Sequence, residues 1–364
     1  MSNARKLADN LPTDGHLSER NIIANGDMVI DQRNSGSATT PSTDRTYTLD
    51  RWVARMSSGS KYSVQQVTDA PSGFLKSLKV TSLAATTLGS TDYYQINTPI
   101  EGYNINQLDL GLSTAKKFTL SFWVKSSLTG TFGGAFSNNI GNRFYAWTYT
   151  ISSANTWEYK TITIDAVTDG SWERTTSAGL WAYWTLGAGS GQQGTAGSWG
   201  TTFKRGPTGA TNVVATNGAT WQITGVQLEV GPQSTPFEHE SVGVTLSKCQ
   251  RYTHIIGDTQ YQAIGHGTMY NATNGIFYVH TPVSMRSTPS ISKTLDGNNV
   301  WLQSYVGSSG LNSNASPQLG ENSTNGRQNN FRIYVPNSNN STTAGYSSWN
   351  QIMPNASFIL DAEL

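Results

Sequence analysis

The sequence predicts an all-β protein: a jelly-roll β-sandwich followed by a second, smaller β-sandwich-like domain, with a short helical N-terminal anchor. Three observations predict it. Aromatic residues make up 10% of the 364 residues, with 11 Trp and 16 Tyr, and Gly, Ser, Thr and Asn crowd the spaces between them; these types favour strands and the turns that join them. Apolar residues alternate with period two in one segment after another. Extended helical patterns are missing, and many short strands with Gly-rich turns argue for a sandwich.

Residues 1–20 read as an anchoring arm and linker. In "NARKLADNL" Ala4, Leu7, Ala8 and Leu11 fall on one stripe at helical spacing, and Pro12 stops the pattern. A helix this short does not persist alone in water, so it docks, associates with copies of itself, or frays. Residues 21–240 form the jelly-roll. In "FTLSFWVKSS" Phe118, Leu120, Phe122 and Val124 share one face of a half-buried strand, and Tyr145, Trp147, Tyr149 and Ile151 do the same in "RFYAWTYTI". "GLWAYWTLG" sets Leu180, Ala182, Trp184 and Leu186 against Trp181 and Tyr183, so both faces of that strand carry aromatics. In "WQITGVQLEVG" the apolar parity changes after Ile223. One extra residue at Thr224-Gly225 restores a single buried face, as a β-bulge does. "GPQSTP" ends the strand, and Phe237 folds back over the end of the domain.

Ser241 is placed to cap a helical bridge over 241–256, with Val242, Leu246, Cys249 and Ile256 on one side. Residues 257–364 form the second β domain. Phe277, Val279, Thr281 and Val283 alternate there, as do Phe331, Ile333 and Val335, and then Phe358, Leu360, Ala362 and Leu364. Long Asn/Ser/Gly loops separate them, so the core is modest. Burying strand faces between identical subunits is one remedy.

Composition excludes several classes. The formal net charge is +1 and no basic stripe is visible, which argues against nucleic-acid binding through phosphates. The N-terminus lacks the apolar core of a signal peptide, and no apolar run is long enough to cross a bilayer. The expectation is a protein made in a cytoplasm, without membrane insertion. Cys249 is the single cysteine, so no intrachain disulfide forms; it reads as a buried, inert thiol.

The familiar catalytic signatures are missing: no Gly-x-Ser-x-Gly elbow, phosphate-binding Gly-Lys-Ser/Thr loop or His-Glu-x-x-His pair occurs. His16, His239, His254, His266 and His280 are scattered, and no metal or cofactor is expected. Glycoside hydrolysis needs two carboxylates across one bond, and linear spacing does not pair Asp165, Asp169, Glu173, Glu229, Asp361 or Glu363. Asp27 and Glu229, near the two ends of the jelly-roll, supply the oxygens calcium favours, but read as ordinary surface acids. The aromatic set is the better clue, because Tyr and Trp lay apolar faces on sugar C–H surfaces while amides bond hydroxyls. Trp181 and Tyr183, with Trp199 across the loop, are the candidate glycan-binding residues; the competing reading is core packing, which fits Trp184.

"NIIANGDMVIDQR", "YTLDRWVA", "TLSFWVKSS", "WQITGVQLEVG", "TPFEHES" and "LSKCQRY" occur in this order. Together they resemble a module of tail-fibre and other virion proteins of tailed bacteriophages, related to carbohydrate-binding jelly-rolls. The likeness spans roughly residues 21–252. It implies a non-enzymatic virion fibre protein that assembles as a homotrimer, with Ala4, Leu7, Ala8 and Leu11 attaching it to other virion proteins and a β domain contacting host-surface glycans. A purely structural virion component and a tailspike-type depolymerase are the alternatives. "ANGDM" lacks the Phe-Glu that commonly follows Asn-Gly in carbohydrate modules, and no glycan-binding residues carry over.

Overall fold

The computed structural model describes residues 18–257 and, beyond them, 262–269, 271, 274–295, 302–306, 309–313, 316–319, 330–336, 347–353 and 356–364. The expected anchor, with Ala4, Leu7, Ala8 and Leu11, lies outside the described residues. Two compact units form, the first ending at Thr245 (with Leu364 counted in it) and the second running Leu246–Glu363.

The first unit is an antiparallel jelly-roll sandwich. Its strands begin with β1 (Thr46–Tyr47), β2 (Val53–Met56), β3 (Tyr62–Val67), β4 (Ser77–Ser82), β5 (Tyr93–Glu101), β6 (Phe118–Ser126) and β7 (Gly130–Ser137). They continue with β8 (Phe144–Ile151), β9 (Glu158–Ile164), β10 (Ala178–Ala188), β11 (Gln193–Gly194), β12 (Trp199–Gly200), β13 (Gly206–Pro207) and β14 (Thr220–Val230). The larger sheet runs β1-β2-β5-β10-β7-β8-β12 and the smaller β3-β4-β14-β6-β9, with β11 and β13 forming a short parallel pair. Alternation decides which side chains meet between the sheets. Phe118, Leu120, Phe122 and Val124 of β6 face Trp147, Tyr149, Leu180, Trp184 and Leu186 from β8 and β10 in one core.

The two outer faces are not simply solvated. On β6 the outward Thr119 and Ser121 are buried, because the segments flanking the domain lie over that half of the smaller sheet. Thr119 Oγ1 donates to the carbonyl of Gly231 at 2.8 Å, and Phe237 packs edge-on against Phe74 at 5.1 Å.

The expected bulge is present. Thr224 pairs with Trp123 and Gln227 with Ser121, so β14 carries one extra residue there. Gly225 takes φ +60°, and a Cβ on it would lie 2.6 Å from Phe74 Cζ. Gly225→Ala is therefore expected to destabilise the first unit by about 2 kcal/mol, from left-handed backbone strain plus crowding. Urea unfolding followed by tryptophan fluorescence measures it; an unchanged midpoint would mean that the bulge relaxes freely.

The connection between the units starts with α1 (Val242–Gln250), where Ser241 Oγ accepts from the Val244 N–H at 3.4 Å. The helix is shorter than the bridge expected over 241–256. Thr253–Ile256 is a strand, β15, because three of its four residues are β-branched and favour an extended chain.

The second unit holds β16 (Ala263–Met269), β17 (Asn274–His280), β18 (Ser290–Thr294), β19 (Leu302–Val306) and β20 (Ser309–Ser313), then β21 (Gln318–Leu319), β22 (Asn330–Pro336), β23 (Ser347–Ile352) and β24 (Ser357–Asp361). Its sheets run β15-β24-β18 and β20-β19-β23-β16-β17-β22-β21. Phe277, Val279, Phe331, Ile333 and Val335 from one sheet meet Phe358 and Leu360 from the other in a single small core. Among the described residues no helix is long and apolar enough to cross a membrane.

Candidate functional site

The motifs at the start and end of the jelly-roll form a clasp on the outer face of the smaller sheet. Asn21 Oδ1 accepts from the N–H groups of Ile23 (3.0 Å) and Leu228 (3.1 Å), and its Nδ2 donates to Val226 O at 3.0 Å. Asn25, in the left-handed conformation at φ +56°, bonds Ile30 through both amide atoms and donates to Asp50 O. Trp52 Nε1 donates to Asn25 O at 3.0 Å. "ANGDM" and "DRW" thus hold each other.

Glu229 corrects the expectation of a surface acid, for it is 1% exposed. Its carboxylate accepts from the Thr235 N–H (2.8 Å), Thr235 Oγ1 (2.6 Å) and Gln227 Nε2 (2.9 Å). Burial raises the Asp27 carboxyl above the usual range, against backbone hydrogen bonds that lower it. Among the described residues no group of three or more His, Cys, Asp or Glu is arranged to hold a metal ion.

The predicted glycan-binding trio is divided. Trp181 and Tyr183 share the outer face of β10 and stack on each other at 6.3 Å, but they are 5% and 4% exposed. Arg45 lies over Trp181 at 5.3 Å and Phe203 meets Tyr183 edge-on at 5.8 Å. Neither ring offers a free face for stacking, because the loop before β13 and the one before β1 fold onto the sheet. Tyr183 is held further by a 3.1 Å bond between its hydroxyl and Ser137 Oγ. Trp199 packs on the core side, against Tyr145 at 5.2 Å, and its indole donates to Asp165 O at 2.7 Å. Trp184 is a core residue.

The outer face of the larger sheet also carries a row of polar groups, of which Gln95, Asn97 and Thr185 are buried. Across the sheet Arg55 pairs in register with Gln95 and Gln95 with Thr185; one step on, Val53 pairs with Asn97 and Asn97 with Tyr183. Asn97 is fully buried, and among the described residues neither its Nδ2 nor its Oδ1 has a hydrogen-bond partner. A buried amide left unpaired costs about 1–3 kcal/mol per group, so such a side chain calls for an explanation.

Arg205 completes the row. Its carbonyl accepts from Thr185 Oγ1 at 2.7 Å and from Gln95 Nε2, which fixes its backbone over the sheet. Its guanidinium stacks 3.9 Å from the Tyr93 ring and 4.7 Å from that of Phe203. Burial lowers the Arg205 pKa and the Arg55 charge adds to that. For Arg55, burial works the same way, but the bond to Asp44 at 2.9 Å outweighs it and holds that pKa up. Burial likewise raises Asp44, and Arg55 together with the Met56 N–H outweighs it, leaving the carboxyl below its ordinary value.

This set combines hydrogen-bonding amides, a guanidinium and two rings, which suits a polar ligand with several hydroxyls. Sequence reasoning passed over it. The available signal was "YYQINTPIE", where Gln95 and Asn97 alternate with Tyr94 and Ile96: amides at two successive outward positions between core-facing apolar residues. Arg205 and Phe203, in a Gly-rich loop distant in sequence, carried no such signal.

No family model matches the chain, and no curated protein does either. Among solved structures the chain is similar to the enzymatically active domain of tailspike protein 4 of bacteriophage CBA120. The identity is 15% and the TM-score 0.30, over 58% of this chain and 21% of that one. It is also similar to a family 11 carbohydrate-binding module from Clostridium thermocellum, in complex with a β-1,3-1,4-mixed-linked tetrasaccharide. Here the identity is 13% and the TM-score 0.27, over 55% of this chain and 97% of the other.

Proposed function

We propose that the chain is a non-enzymatic attachment protein of a tailed-phage virion that holds host-surface glycans on the outer face of its larger jelly-roll sheet. In this reading it assembles as a homotrimer and joins other virion proteins through the N-terminal segment. The observation that carries glycan binding is the buried Asn97 amide, without a hydrogen-bond partner among the described residues, on the same face of β5 as Gln95, which Arg205 contacts. One donor and one acceptor in rigid geometry on a strand suit the paired bonding of sugar hydroxyls. The ordered sequence motifs support the virion setting. Weak single sites suffice there, because several copies on one particle add avidity.

The test is binding of the full chain to a glycan array and to host cells, with Asn97→Leu and Tyr159→Ala alongside. Asn97→Leu removes two unpaired groups at similar volume, so its unfolding free energy is expected to hold or rise by about 1 kcal/mol while glycan binding disappears. Tyr159 is exposed on the other sheet, and its loss is expected to leave binding intact. The reverse pattern would move the site to the smaller sheet. Absence of any glycan or cell binding would favour a purely structural virion part, and release of new reducing ends from a bound polysaccharide would make the protein an enzyme.

A further inference from the structure

Resting on that reading and narrowing it, we propose that the ligand of the outer face carries an anionic group on a sugar ring, a carboxylate or a sulfate, and that Arg205 receives it.

Arg205 is partly buried, and among the described residues no carboxylate is paired with it. The polar side-chain contact of its guanidinium is Gln95 Oε1, at 3.5 Å from Nη1, the outer limit of a hydrogen bond. Its Nε is buried and has no hydrogen-bond partner among the described residues. Asp44 is the acid whose charge reaches it, but Asp44 is committed elsewhere: to Arg55 Nε at 2.9 Å, the Met56 N–H at 2.8 Å and Tyr93 Oη at 3.3 Å. Two guanidinium groups therefore share one carboxylate.

An arginine cannot relieve this by shedding its proton. A cation moved out of water without a counter-ion is costly, and the stacking on Tyr93 and Phe203 offsets part of that cost. Both rings lie against the guanidinium, Tyr93 at 3.9 Å and Phe203 at 4.7 Å, and the N–H groups of a guanidinium match an oxyanion with two parallel bonds. Asn97 then supplies a neutral donor and acceptor for ring hydroxyls. A neutral sugar would leave the charge of Arg205 as unmatched as it is in the free protein.

The experiment compares neutral glycans, uronate- or sialate-bearing glycans and sulfated glycans on one array, using the full chain. Array hits are then titrated against the wild type, Arg205→Gln, Arg205→Lys and Asn97→Leu at low and high salt. The expected result is binding confined to acidic members, weakened about thirtyfold by Arg205→Gln, the size of one charged hydrogen-bond pair. Arg205→Lys is expected to retain part of the affinity, and added salt to reduce it. Preference for uronates over sulfates, or the reverse, identifies the anion. Should Arg205→Gln fail to fold, the salt dependence and the Arg205→Lys titration still decide. Neutral glycans bound as tightly as acidic ones, and lost with Asn97→Leu, would overturn the anionic ligand and leave the glycan reading standing. Acidic glycans bound equally by wild type and Arg205→Gln would overturn the role of Arg205, and an array without hits would overturn both readings.

Discussion

Trp184→Ala is expected to lower the unfolding free energy of the first unit by about 3–5 kcal/mol, the range for deleting a large aromatic from a packed core. Trp184 is fully buried at the middle of the sandwich. Its ring lies 5.3 Å from Trp52, 5.8 Å from Trp147 and 5.9 Å from Phe122, so it joins β10, β8, β6 and the turn before β2. Both sheets contact it, and neither can close the gap alone. Among the described residues the indole N–H has no hydrogen-bond partner, which separates packing from polarity. Trp184→Phe keeps an aromatic ring, removes the unpaired donor, and is expected to cost less than half as much. Urea unfolding of both variants measures this; equal losses would mean that the indole's exact shape, and not its volume, sets the core.

The second large effect is expected from Glu229→Ala, at about 3 kcal/mol or more, from donors stranded in a buried site. Three hydrogen bonds converge on this carboxylate, two of them from Thr235. Thr235 in turn receives a bond from Arg20, and Gln227 Oε1 accepts from the Glu238 N–H at 2.8 Å. Removing Glu229 thus loosens the segments on both flanks of the domain together. Hydrogen exchange is the measurement of choice: the amides of Ile22, Leu228, Thr235 and Glu238 should lose protection first, ahead of the sheets. Uniform loss across the unit would show that the clasp and the sandwich unfold as one.

Much of this fold was legible because alternation is a local signal with a rigid consequence. Once β6, β8 and β10 are extended, Phe122, Trp147 and Trp184 must point the same way as their neighbours two residues on. The bulge at Gly225 was legible for the same reason, as a break in parity. Alternation says which face a side chain takes, but not what lies upon that face. Trp181 and Tyr183 were correctly set outward, yet the residues covering them, Arg45 and Phe203, come from loops whose paths leave no periodic trace. Glu229 misled for a related reason. An outward acid on a strand reads as solvated until the flanking segment is known to fold over it. In Thr253–Ile256 the helical spacing continued past Gln250, and β-branching together with pairing to β24 prevailed.

The clasp also bears on how such a domain travels between proteins. Asn21 donates its backbone N–H to Glu238 at 2.9 Å, so the chain enters and leaves the sandwich at almost one point. A domain with adjoining ends is a cassette: it can be spliced into a surface turn of a host protein without prising that turn apart. Gain or loss of the whole jelly-roll then disturbs what precedes and follows it very little, and a lineage can exchange the module while leaving the rest of the chain as it was.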